Sequence, residues 1–145
     1  MLKLIPSAGI VKETKIDFDL LSFIISRFFL PTKRVVLKVH KTRFDYSYFC
    51  SEDGMIGLDL KSNKTLLQTV KTILHELRHY IQTKHFKIEF EEYDNKYYVY
   101  YNSAEEKDAR MYEKLAKEVC QIYKSYKNID KKIMELKLEN FNELI

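Results

Sequence analysis

The run His75-Glu76-Leu77-Arg78-His79 constrains this chain more than any other feature. Two histidines four residues apart share one face only if the segment is helical. The flanking residues agree. At about 100° per residue, Leu66, Val70, Ile73, Leu74, Leu77 and Ile81 fall on one arc, and Gln68, His75, His79 and Gln82 fall roughly opposite. The pattern predicts a helix over about 64–83, capped by Ser62 or Asn63, with an apolar face for a core and a polar face holding both histidines. Imidazoles so placed can reach one metal ion. Glu76, beside that face, is placed to take a proton from a water at the metal.

A catalytic zinc site needs a third protein ligand and one open position. His40, at a strand end, and His85, beyond the helix, are candidates by type alone. The better candidates lie in Ser103-Ala104-Glu105-Glu106-Lys107-Asp108, which opens a second long helix predicted over about 104–126. Helical phase favours Glu105, nearer the centre of that helix's apolar arc. Ser103 and Glu106 also satisfy a capping box, so a purely local role for Glu106 competes with ligation. Asp108 is expected either to orient a ligand imidazole or to pair with Arg78 or Arg110. Tyr80, Tyr112 and the tyrosines of 97–101 are candidates by type for stabilising an oxyanion.

The rest of the chain reads as one α+β domain over residues 1–145. Residues 1–16 look extended. Asp17 caps a helix over about 18–29 that Pro31 ends. Val35–Val39, Phe44–Cys50 and Met55–Leu60 read as strands, and Glu52-Asp53-Gly54 as a turn. Phe86–Phe90 and Tyr97–Tyr101 suggest a hairpin. The expected sheet is small and mostly antiparallel, packed on the histidine-bearing helix and the helix that follows it. Residues of about 128–145 form an amphipathic, Lys/Glu-rich helical tail, suited to docking over a cleft or to self-association.

Bulk properties narrow the class. Cys50 and Cys120 form no CxxC pair, which suits a reducing, cytoplasmic setting. The most apolar stretch, Phe18–Leu30, is too short to span a bilayer and carries Asp19 and Arg27, so no membrane role is expected. A net charge of +4, with lysines spread along the chain, permits nucleic-acid binding without indicating it.

Three segments together resemble the gluzincin branch of the HExxH zinc metallopeptidases, above all its small single-domain members of the ImmA/IrrE type and short phage and bacterial proteins. Met55–Leu60 resembles the edge strand bordering the cleft. His75–His79 followed by Gln82 resembles the active-site helix. Glu106-x-Asp108-Ala109-Arg110-x-Tyr112 resembles the third-ligand helix. The resemblance covers roughly residues 55–116 and lacks any helix-turn-helix module. It implies a zincin-like fold, one Zn²⁺ per chain held by His75, His79 and Glu106, Glu76 as catalytic base, and a protein or peptide substrate. The competing expectation is a non-catalytic or DNA-associated binding module that keeps the metal for structure.

Overall fold

In a computed structural model, which describes residues 1–29, 34–50, 52–84 and 103–143, the chain forms a four-stranded sheet with its helices on one face. The elements are β1 (Leu2–Pro6), α1 (Ala8–Thr14), α2 (Phe18–Phe29), β2 (Val35–Lys41), β3 (Tyr48–Cys50), β4 (Met55–Leu58), α3 (Leu66–Lys84) and α4 (Ala104–Tyr112). A 3₁₀ turn (Glu113–Leu115) then leads into α5 (Ala116–Glu143). The predicted hairpin of 86–101 and His85 lie outside the described residues.

The sheet order is β1-β2-β4-β3. β1 and β2 are parallel, β2 and β4 are parallel, and only β3 runs antiparallel to its neighbour. Among the described residues the sheet is therefore mixed, with two parallel pairings and one antiparallel, which corrects there the expectation of a mostly antiparallel one. The reason lies in the first sixteen residues. They contain β1 and helix α1, and with α2 they form the helical crossover a parallel β1–β2 pair requires. A second correction concerns Met55–Leu58, which is an inner strand between β2 and β3, so the outer strand among the described residues is β3.

Alternation explains the layering. Leu2 and Leu4 of β1, Val35, Leu37 and Val39 of β2, and Ile56 of β4 are buried on the helix side, whereas Lys3, Ile5, Val36 and Lys38 face outward. The outer N–H groups of β1 do not stay open. The Ser26 hydroxyl accepts from Leu2 N at 2.6 Å and the Ser22 hydroxyl from Leu4 N at 2.9 Å, so α2 covers that edge. Asp17 caps α2 by accepting from Leu20 N at 3.0 Å.

Helix α3 runs across this core. Val70, Ile73, Leu74 and Leu77 have no exposed surface, and each such side chain contributes about 1.5–3 kcal/mol by burial. The cap is Thr65 rather than Ser62 or Asn63. Thr65 Oγ1 accepts from Gln68 N at 3.2 Å, and Gln68 Oε1 accepts from the amides of Lys64 and Thr65 at 3.0 and 3.1 Å. This reciprocal capping box fixes where the helix starts, and hence where both histidines point. Among the described residues no helix is long and apolar enough to cross a membrane.

Candidate metal centre

His75 and His79 project from the face of α3 opposite its apolar stripe, toward the first turn of α4. Their Nε2 atoms are 3.1 Å apart. The Glu106 carboxylate closes the group, with Oε1 2.7 Å from His79 Nε2 and Oε2 3.0 Å from His75 Nε2. Two nitrogens each ~2.0 Å from a tetrahedral zinc lie about 3.3 Å apart, so the observed separation is near that of two ligands of one ion. Glu106 is 5% exposed, while Glu105 is only half-buried and uses its backbone carbonyl to accept from Gln82 Nε2 at 3.0 Å. Of the two adjacent carboxylates, Glu106 is therefore the one that meets the imidazoles. Its position follows from the cap. Ser103 Oγ accepts from Glu106 N at 3.3 Å, which makes Glu106 the third residue of the helix.

The imidazole orientations follow from hydrogen-bond chemistry. Gln82, 1% exposed, directs Nε2 at two groups that only accept, the Glu105 carbonyl and Asp108 Oδ2 (2.8 Å). Its Oε1 must then face His79 Nδ1, 2.8 Å away, so Nδ1 carries a proton and Nε2 is the nitrogen turned to Glu106. For His75, Nδ1 faces Glu113 Oε2 at 3.4 Å and Nε2 faces Glu106 Oε2 at 3.0 Å, so both ring nitrogens meet carboxylate oxygens. Both Nε2 atoms converge where the Glu106 oxygens lie. A cation held there could engage all three groups together.

The electrostatics point the same way. Burying a carboxylate is costly unless a positive charge accompanies it. Burial disfavours the charged form of His75, yet Glu106 and Glu113 outweigh it and raise its pKa to about 10. His79 is likewise raised, its burial overcome by Glu106 and Gln82. Glu76, 8% exposed, is raised chiefly by burial, against the pull of the two imidazoles. The carboxylates thus favour positive charge at the two imidazoles, and the buried Glu76 carboxyl lies beside them. The donor set of two imidazoles and one carboxylate could hold a divalent metal ion.

Other predicted residues stand elsewhere. His40 Nε2 meets the Tyr48 hydroxyl at 2.9 Å on the sheet face turned away from α3, so it is not part of the cluster. Asp108 pairs with Arg78, at 2.7 Å to Nε and 3.4 Å to an Nη, and reaches His79 only through Gln82. The direct Asp108–imidazole contact is replaced by an Arg78–Asp108–Gln82–His79 relay. The Tyr112 hydroxyl donates to the Phe29 carbonyl at 2.9 Å and its ring lies under Arg78, so it props α4 against α2. Tyr80 packs edge-on against Phe49 of β3. The tyrosines of 97–101 lie outside the described residues.

Glu113 was not anticipated. It lies seven residues after Glu106, two turns along, so the same helical periodicity that relates the two histidines relates these two glutamates. Compared with protein-family profiles, curated proteins and solved structures, the chain matches none of them.

Proposed function

We propose that this chain is a zincin-like, zinc-dependent peptidase. The observation that carries the reading is the convergence of His75 Nε2, His79 Nε2 and the Glu106 carboxylate within 4.8 Å, with Glu76 buried beside them. Zinc bound there supplies a Lewis acid that lowers the pKa of water to about 7. The protein supplies the remainder. Gln82 and Glu113 hold the imidazoles at Nδ1, and Glu106 completes the ligand set. Glu76 accepts the proton of the attacking water at its carboxylate and can return it to the leaving amine.

The sheet suggests how a peptide is presented. The β1 edge is covered by the serines of α2. β3 is the outer strand on the other side among the described residues, and Phe49 ties it to Tyr80 of α3, one residue past His79. An extended substrate adding to β3 would use main-chain hydrogen bonds and so make few demands on side-chain identity.

Elemental analysis of protein purified without added metal tests the site. The expected result is about one zinc per chain, lost in His79→Ala and Glu106→Ala. A mixed-peptide assay then compares wild type with Glu76→Gln, which should retain zinc and lose cleavage. Absence of zinc even after reconstitution would sink the reading. A metal-loaded protein with no cleavage that Glu76→Gln abolishes would leave a metal-holding binding module.

A further inference from the structure

Leu115, at the end of the 3₁₀ turn, and the apolar residues of α5 form a continuous stripe. Leu115, Val119, Ile122, Tyr126, Ile129, Ile133 and Leu136 follow one another at alternating steps of four and three, the spacing of a coiled-coil seam. The first half of the stripe is used within the chain. Val119 is fully buried, and Tyr126 packs edge-on against Phe23 of α2 with ring centroids 6.1 Å apart. Beyond it, every residue from Asn128 to Glu139 is exposed. Ile129, Ile133 and Leu136 are 52%, 43% and 57% exposed, on a helix of 28 residues. A helical stretch this short gains little from propensity alone and is marginal in water unless its apolar stripe is packed.

We propose that this projecting part of α5 pairs antiparallel with the same part of a second copy of the chain. The argument for that occupant is charge. With Ile129 and Leu136 at one set of core positions and Tyr126 and Ile133 at the other, Lys132 and Glu139 flank the seam on one side, and Asp130 and Lys137 on the other. In antiparallel helices, residues of the same flank face each other across the two-fold axis. Setting Ile133 against the partner's Leu136 brings Lys132 to the partner's Glu139 and Asp130 to the partner's Lys137. Symmetry doubles both, which makes four attractive pairs. Sliding by one heptad either way instead faces Lys132 or Glu139 with its own copy, and Asp130 or Lys137 with its own copy. A parallel pair in register sets Lys132 against the partner's Lys137. Charge therefore selects one orientation and one register. In it, Ile133 and Leu136 of each copy form the apolar layers, and Ile129 falls opposite position 140, an Asn. The two globular bodies lie at opposite ends of the paired helices.

The pairing does not depend on the metal reading. Sedimentation equilibrium of the full chain across a wide concentration range should show a dimer of the 17.5 kDa chain. Ile133→Asp should be monomeric and keep the wild-type metal content and thermal transition of the body. Because that variant can also fray the helix, the charge swap is the sharper test. Asp130→Lys and Lys137→Asp should each weaken the dimer roughly tenfold, since each turns two attractive pairs repulsive. The double variant should regain wild-type affinity. A wild type that stays monomeric, or a dimer indifferent to Ile133→Asp, would overturn the proposal. A double variant as weak as the singles would overturn the antiparallel register.

Discussion

The candidate metal centre and the distal half of α5 use the same helical arithmetic and come to opposite ends. In α3, residues at steps of three and four place His75, His79 and Gln82 on one face, and α4 closes over it, so that Glu106 and Gln82 are buried. In α5, similar steps place Ile129, Ile133 and Leu136 on one face, and no element of the described chain covers them. The polar face is buried and the apolar face is bare. Burial of polar groups is tolerable only because each one at the centre has a defined partner. An exposed apolar stripe on a helix is an interaction surface by the same logic reversed.

The contrast can be broken most forcefully at the core side of α3. Leu77 has no exposed surface, so Leu77→Ala should cost about 2–5 kcal/mol. Leu136→Ala, on the bare stripe, should change the stability of the monomer by less than ~0.5 kcal/mol. Chemical denaturation of both variants, at a concentration where the chain is monomeric, reads the difference. Similar losses would mean that the tail is packed against the body.

Next in size is the ligand set. Glu106→Gln keeps the volume and the cap and removes the charge. We expect zinc affinity to fall by more than about 100-fold, beyond what outer partners contribute. Competition with a chromophoric chelator measures this. Glu105→Gln should leave affinity unchanged, because Glu105 meets Gln82 through its backbone carbonyl. Equal losses in the two variants would move the ligand.

The relay behind His79 is a smaller lever. Gln82→Leu fills the same space without holding the imidazole tautomer. Its expected effect is a loss of roughly 10–100-fold in metal affinity. Asp108→Asn, one bond further out, should do less. An Asp108 effect larger than that of Gln82 would mean that the carboxylate acts on the site directly.

The smallest expected effect lies where α5 leaves the body. Lys127 Nζ is 3.0 Å from Asp17 Oδ2, and the Leu20 amide, followed by Lys127, holds the Asp17 carboxyl below its ordinary value of 3.8. A carboxyl depressed in the folded state adds stability that is present above its ordinary value and is lost as pH falls through the depressed one. Both side chains are about 40% exposed, so the pair is screened and contributes well under ~1 kcal/mol. Lys127→Ala should lower stability slightly at neutral pH and hardly at all near pH ~2. A loss of equal size at both would point to the contact of the Lys127 ammonium with the Tyr123 ring instead.

Much of this was readable from the chain. The period of 3.6 residues assigned α3 its two faces, and Asp17 marked the start of α2. The β-branched run 35–39 marked β2, because these signals act within a few residues of one another. Strand order was not readable. Nothing local in Met55–Leu58 distinguishes an inner strand from an outer one, and the parallel β1–β2 pair depends on elements more than thirty residues apart. Phase along α4 even favoured Glu105, since a helix wheel knows nothing of which neighbour lies beside it.

The sequence by itself determined the candidate ligands, because two imidazoles a turn apart share a face of any helix that contains them. Only the tertiary structure decided which carboxylate joins them. That choice depends on the crossing of α4 over α3, on the amide of Gln82 turned by two acceptors, and on a second glutamate, Glu113, arriving from the next turn. The physical reason is range. Helical phase and capping act over one or two turns, whereas the convergence of three donors on one point is set by how two helices pack.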